Sequence, residues 1–389
     1  MKLTIFAAAC LQLILLAACA QGPTRQSEAV FYPPLPQAPR VQFLTSFSTE
    51  DEFAGKSSNQ FREFLLGEEP QSGKILGRPF SIAHRQGQIV IADKTYRKIL
   101  ILDLEERTFD YIKDANTGAL QDPVGLFIAP NGEMFVADGD RNQIFVFNQR
   151  DEFVRRYGDG TTFRPMDVVV YGDRVYVCDI NGSEVEVLDR TTGELIDIIG
   201  GIGVEEGLLQ KPTHLALDAA GNLFVTDSFN LRVQMFDSQG DFVKVIGWNE
   251  MGPGGFVRPK GLDVDRDGHL YSADAAFQIL QIFSVETRAP LLFFGKFGTG
   301  PGGTYMPSDV HIDYDNVSYF SKYADPQFEL EYLIYVGNLL GKNKLNVYGF
   351  GHWTGESEDR AAAPAGPATA TESVEQQLAG ESGQVPDTG

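Results

Sequence analysis

From residue 78 onward, apolar residues come in runs of four to six broken by polar turn clusters, a spacing that belongs to strands and not to helices. Residues 221–240 show the unit most clearly. Leu223 to Thr226 form a short apolar run, Asp227 to Asn230 carry turn chemistry, and residues 232–237 alternate polar and apolar as a half-buried strand does. Variants of this unit recur, in phase with a proline that opens each first strand: Pro79, Pro123, Pro165, Pro212, Pro259 and Pro307, at intervals of 44, 42, 47, 47 and 48 residues. Fourteen or fifteen residues after each of the first five comes an aspartate (Asp93, Asp138, Asp179, Asp227, Asp274), always at the end of an apolar run. These mark one recurring strand-to-turn corner. A third strand follows at 98–103, 143–148, 184–189, 232–237 and 278–284, and a fourth at 153–157, 195–199, 242–246 and 291–294. Four strands in about 45 residues is the size of one propeller blade, so the pattern predicts an all-β, six-bladed β-propeller with four-stranded blades.

The sixth unit has no aspartate at the expected distance. With residues 315–329 treated as an insertion it recovers: 332–336 is the second strand, Asn338 the corner and 344–348 the third strand. The missing fourth strand is available at the other end of the domain, where Val41–Phe47 alternates as a strand. It is predicted to complete the last blade and close the ring, giving a propeller over residues 41–353 with no blade short of its outer strand. Phe61, Phe64 and Leu65, with Gly67 as a stop, predict one short helix near 59–67. Residues 19–40 are polar and then proline-rich, as in an extended tether. Residues 354–389 are rich in Ala, Pro, Gly and acidic side chains, a composition that predicts a disordered, solvated tail.

Composition narrows the partners. The formal net charge of −21 argues against nucleic acid, which needs a basic surface, and makes any charged partner cationic. The first 18 residues hold one Lys and an apolar run, as a secretion signal does, and Leu16-Ala17-Ala18-Cys19 resembles the bacterial lipobox, in which the cysteine is acylated after cleavage. Cys19 is then the lipidation site, and the absence of Asp at position 20 favours the outer membrane. Cys10 leaves with the signal, so Cys178 stands alone in the domain, without a disulfide partner; it lies on a core strand and reads as a buried structural thiol. No Cys-x-x-Cys-His is present, hence no c-type haem of the chain's own.

Asp227-Ser228-Phe229-Asn230-Leu231-Arg232-Val233-Gln234-Met235-Phe236-Asp237 resembles an NHL repeat, and the resemblance extends in weaker form over residues 78–350. It implies a propeller, usually of six blades. Lipobox, proline-rich tether and six such repeats together are similar to a family of bacterial NHL lipoproteins, some of which accompany multihaem cytochromes in metal-reducing bacteria. That likeness implies a membrane-anchored, non-catalytic module that binds or scaffolds another cell-envelope protein, a cytochrome among the candidates.

The corner aspartates suggest a metal ring at first sight, but a carboxylate at a tight turn accepts hydrogen bonds from backbone amides, and a structural need repeated in each blade yields a repeated residue. The glycine clusters at 200–203, 252–255 and 298–303 lie between strands, so they are inter-blade connections and not phosphate loops. Equivalent positions on the innermost strands do surround one axis. Two residues after each proline stand Ser81, Gly125, Asp167, His214, Gly261 and Asp309, and two further on Ala83, Phe127, Val169, Ala216, Asp263 and His311. Asp167, His214, Asp263, Asp309 and His311 are therefore the candidate channel-lining residues, and carboxylates with imidazoles could hold a divalent cation. This supports an alternative reading, a cation-dependent hydrolase or lyase with its site in the channel. The NHL-like amidating lyases place zinc-binding histidines directly after the opening proline, where this chain has Phe80, Val124, Met166, Thr213, Lys260 and Ser308. No catalytic residue is assigned.

Overall fold

Proline suits the first residue of an innermost strand because it brings no N–H to leave unpaired as the chain enters the sheet. In the computed structural model, which describes residues 29–55, 74–112, 119–161, 163–249 and 251–357, six strands begin at these prolines. They are Pro79–Arg85, Pro123–Ile128, Pro165–Tyr171, Pro212–Leu217, Pro259–Val264 and Pro307–Asp313. Each packs beside the next, and the last beside the first, so they enclose an axis. From each inner strand the chain meanders outward through an antiparallel sheet, giving six blades. The fourth strand of blade 1, Thr108–Tyr111, did not stand out in the pattern because only Phe109 of its four residues is buried.

Blade 6 closes the ring. Its inner strands Pro307–Asp313, Phe328–Asn338 and Leu345–Trp353 come from the C-terminal side, and Val41–Phe47 pairs onto Leu345–Trp353 from Val41 opposite Phe350 to Phe47 opposite Leu345. One expectation is corrected here. Val30–Tyr32, predicted to lie in the tether, forms a fifth strand outside Val41–Phe47. Its three residues are all apolar or aromatic: Tyr32 is buried between blades 5 and 6, and Phe31 packs edge-on against Trp353 at 5.2 Å. The insertion is a helical turn, Val317–Phe320, and a 3-10 turn, Ser321–Tyr323, and Phe320 is buried beside Phe47. The predicted helix near 59–67, Cys19 with the leader, and residues 358–389 of the acidic tail lie outside the described residues.

Apolar side chains from facing blades interdigitate, one buried cluster at each of the six blade interfaces. Burying a large apolar side chain is worth about 1.5–3 kcal/mol, so these interfaces hold the ring together. The corner aspartates add a polar latch. Asp93 accepts from Thr95 N and Tyr96 N in its own turn and from Gly77 N and Arg78 N just before Pro79. Asp274 does the same for Ala276 N and Phe277 N, and for Val257 N and Arg258 N before Pro259. In blade 6, Asn338 Oδ1 takes the equivalent bond from Tyr305 N. The aspartate therefore fixes both its turn and the incoming inter-blade loop.

Candidate functional site

The inner strands of all six blades line a central cavity of about 130 Å³. Because every inner strand starts on the face that carries the inter-blade loops, residues soon after the proline lie at that end of the channel and later residues at the other. At the loop end, Phe80 of blade 1 stacks on His214 of blade 4 across the axis, with ring centroids 6.1 Å apart and planes 17° from parallel. Lys94 Nζ lies 5.0 Å from the Phe80 centroid. His214 Nδ1 meets Thr213 Oγ1 at 3.0 Å, whereas its buried Nε2 has no partner. Burial, and then the Lys260 ammonium, hold the imidazole down at about 3. His214 is thus a neutral plug.

Asp167, Asp263 and Asp309 do line the cavity, but each carboxylate is engaged by the next blade. Leu215 N–H donates to Asp167 at 2.9 Å, Ile312 N–H to Asp263 at 2.9 Å and Ile82 N–H to Asp309 at 2.7 Å. These bonds staple blade 3 to 4, 5 to 6 and 6 to 1. Burial pushes Asp309 up to about 7 and Asp167 well above the usual carboxylate range. The staples also explain two glycines. A Cβ on Gly125 would stand 2.5 Å from Asp167 Cα, and one on Gly261 would stand 2.4 Å from Asp309 Cα.

At the far end the carboxylates meet two imidazoles. His311 Nδ1 lies 3.1 Å from Asp263 Oδ2, His311 Nε2 lies 2.8 Å from His84 Nδ1, and His84 Nε2 faces Asp313 Oδ1 at 3.3 Å and Asp315 Oδ2 at 3.5 Å. The protons can be counted. A carboxylate at each end requires an N–H pointing outward from each ring, and the bond between the rings requires one more. Three protons on two imidazoles make one of them an imidazolium. Burial opposes charge on His311, but the Asp263 hydrogen bond and the surrounding carboxylates outweigh it and raise its pKa. Burial and then the His311 charge lower that of His84. A cation bound by His84, Asp313 and Asp315 would satisfy the same chain without the third proton. His84 was absent from the candidate set because alternation places it in the core phase with Ile82. Its partner His311 is 227 residues away, and only ring closure brings them together.

The loop face carries a second feature. The connections into blades 4, 5 and 6 each turn back on themselves, through a bridge from Ile202 to Leu209, another from Trp248 to Gly255, and the pairing of Lys296–Phe297 with Gly303–Thr304. Each tucks one buried residue beneath it, Leu209, Phe256 or Thr304, three positions before the proline. The tips point outward instead. Ile202 is 74%, Met251 85% and Phe297 63% exposed, and Phe229 in the blade 4 corner turn is 69% exposed. These four are the most exposed large apolar side chains among the described residues, and all sit in loops or turns of one face, across blades 4 to 6.

Comparison with known proteins places the fold. A family model described as a 6-bladed beta-propeller (DUF5128) matches residues 204–289. A probable peptidyl-alpha-hydroxyglycine alpha-amidating lyase of Caenorhabditis elegans is 26% identical over 149 residues, which are 36% of this chain and 43% of the relative. NHL repeat-containing protein 3 of Mus musculus is 25% identical over 175 residues, 40% of this chain and 50% of the relative. The matched regions thus span half or less of each relative. A solved structure of a protein of unknown function from Bacteroides thetaiotaomicron superposes with a TM-score of 0.55 at 13% identity, covering 80% of this chain and 75% of that one.

Proposed function

We propose that this NHL-type six-bladed β-propeller is a non-catalytic docking module, held at the outer membrane through a lipid on Cys19, that binds another cell-envelope protein by its loop face. The observation that carries this reading is the group of exposed apolar tips at Ile202, Phe229, Met251 and Phe297, on loops whose bases are pinned by the corner latches and buried plugs. Aromatic and aliphatic anchors in a central patch carry most of the energy of a protein interface, and pinned loop bases lower the ordering cost. A narrower form names a multihaem cytochrome as the partner and is supported by the family resemblance alone. The test is affinity purification from membranes of the source cells, comparing the native chain with one carrying Ile202→Ser, Phe229→Ser, Met251→Ser and Phe297→Ser. A stoichiometric partner lost in the variant, at unchanged Tm, supports the reading. A partner retained by the variant overturns it.

A second reading, a cation-dependent hydrolase or lyase, is favoured by the Asp263–His311–His84 chain at the channel mouth, and one relative is named a lyase. In that case His84 Nε2, Asp313 and Asp315 hold the cation and His311 takes up the proton. Metal analysis of the purified chain after incubation with Zn2+, Ca2+ and Mn2+, repeated with His84→Ala, decides it: stoichiometric metal lost in the variant supports a channel site, and a metal-free chain eliminates it.

A further inference from the structure

In blade 4 the corner aspartate is buried among donors. Asp227 Oδ2 accepts from Asn230 Nδ2 at 2.8 Å, Arg232 Nε at 2.8 Å and Gln234 Nε2 at 3.0 Å, and the guanidinium runs on to the carbonyls of Glu205 and Leu208. Position for position, blade 3 inverts this chemistry. Its aspartate is Asp179, and the residues three, five and seven further on are Gly182, Glu184 and Glu186 in place of Asn, Arg and Gln. The backbone is the same, down to a left-handed residue four after the aspartate, Ser183 at φ 59° against Leu231 at φ 53°. Oxygens of Asp179, Glu184 and Glu186 all lie within 4.8 Å of one another.

Asp179 is partnered by backbone N–H groups of Arg164, Asn181 and Gly182. Glu186 is a separate matter. It sits on the middle of a strand, is only 6% exposed, and has neither a hydrogen bond nor an ion pair among the described residues, although its carboxylate points into the corner. The two basic residues whose backbone N–H groups bond to this corner, Arg164 and Lys211, turn their side chains elsewhere: Lys211 Nζ to Ile180 O and Arg164 to Asp140. Three carboxylates thus gather where blade 4 carries the Arg232 guanidinium, an arrangement that a positive charge among them would stabilise.

We propose that the blade 3 corner binds a divalent cation, with Ca2+ as the fitting ion, through Asp179, Glu184 and Glu186, in the place that the Arg232 guanidinium holds in blade 4. All the donors are oxygen, which selects a hard cation over zinc, and oxygens within 4.8 Å of each other can share one ion at Ca2+–oxygen distances of about 2.4 Å. Gly182 keeps the corner open, because a Cβ there would stand 2.7 Å from Asp179 Oδ2 and 2.8 Å from Glu184 Oε1. The site adjoins the loop face: Ser183 O accepts from Gly201 N and Ser183 Oγ from Lys211 N, which bracket the loop that carries Ile202. The ion would therefore brace that loop. This inference rests on blade 3 alone and stands whether or not the loop face docks a partner.

The test is calorimetric titration of the full chain with Ca2+ at pH 7.5 after chelation, with Tm measured in parallel. Binding with a Kd on the order of 10⁻⁴ M, and a Tm rise of about 3 °C at 1 mM Ca2+, are expected. Glu186→Gln should weaken binding at least tenfold. Glu184→Arg with Glu186→Gln, which gives blade 3 the Arg and Gln of blade 4 while keeping Gly182, should fold and abolish binding. Absence of a Ca2+ signal in the native chain overturns the proposal, and so does a signal that survives both variants or is lost in His84→Ala, which would put the ion in the channel.

Discussion

His214 offers a direct check on the channel, because it is held as a neutral plug and not as a ligand. In the unfolded chain its imidazole titrates near 6.5; in the fold, burial and then Lys260 hold it at about 3. The unfolded chain thus takes up the proton first as pH falls. The stability contributed by this site is full above pH 6.5 and is lost progressively between 6.5 and about 3. Each pH unit in that window is worth about 1.4 kcal/mol, so roughly 2 kcal/mol is lost by pH 5. His214→Phe is the informative change. Nε2 has no partner to forfeit, Thr213 Oγ1 keeps its 2.6 Å contact with Ser228 when the 3.0 Å contact to His214 goes, and a phenyl ring can still stack on Phe80. Equilibrium urea unfolding of both chains at pH 7.5 and 5.0 should find near-equal stability at the higher pH and the variant ahead by about 2 kcal/mol at the lower. Every other titrating group is common to both chains and cancels in the comparison. Equal losses of stability between the two pH values would refute the reasoning, since His214 would then be free to charge within the fold.

Three further outcomes follow from the same geometry. Gly261→Ala drives a Cβ against Asp309 backbone that cannot yield, and should lower stability by about 1–3 kcal/mol, while Gly300→Ala, which meets nothing within 4 Å, should be nearly silent in the same thermal melts. Arg232→Leu leaves the fully buried Asp227 carboxylate without its cation, and should cost on the order of 3 kcal/mol by denaturant unfolding. Deletion of residues 1–47 removes Val30–Tyr32 and Val41–Phe47 and bares Leu345–Trp353 as an edge, so the truncated chain should aggregate where the native chain is monodisperse in size-exclusion chromatography.

The blades were legible in the sequence because each repeated residue has a local physical task. The prolines open inner strands, the aspartates latch corners, and both leave a period that survives loss of the NHL Asn and Arg. Strand Val41–Phe47 could be placed only by noticing that blade 6 lacked an outer strand, whereas Val30–Tyr32 was hidden by its three-residue length and the prolines that follow it. Counting in phase from the prolines put Asp167, Asp263, Asp309 and His311 on the channel. Their roles were out of reach, because the amides of Leu215, Ile312 and Ile82 that engage the carboxylates belong to the neighbouring blade. His84 was missed for the related reason that strand alternation governs which face a residue takes, and does not govern what the adjacent blade presents to it. The exposed tips at Ile202, Met251 and Phe297 lie in segments legible only as glycine-rich connections, since their projection depends on the pairings at each loop base.

Docking through the loop face is tested most directly by site-specific photo-crosslinking in intact source cells. A crosslinking residue at Phe229 or Met251 samples the loop face, and one at Gln239, in the turn between the third and fourth strands of blade 4, samples the opposite face. The account predicts one envelope protein captured from positions 229 and 251 and nothing from 239. Capture from 239 with none from 229 or 251 would contradict it.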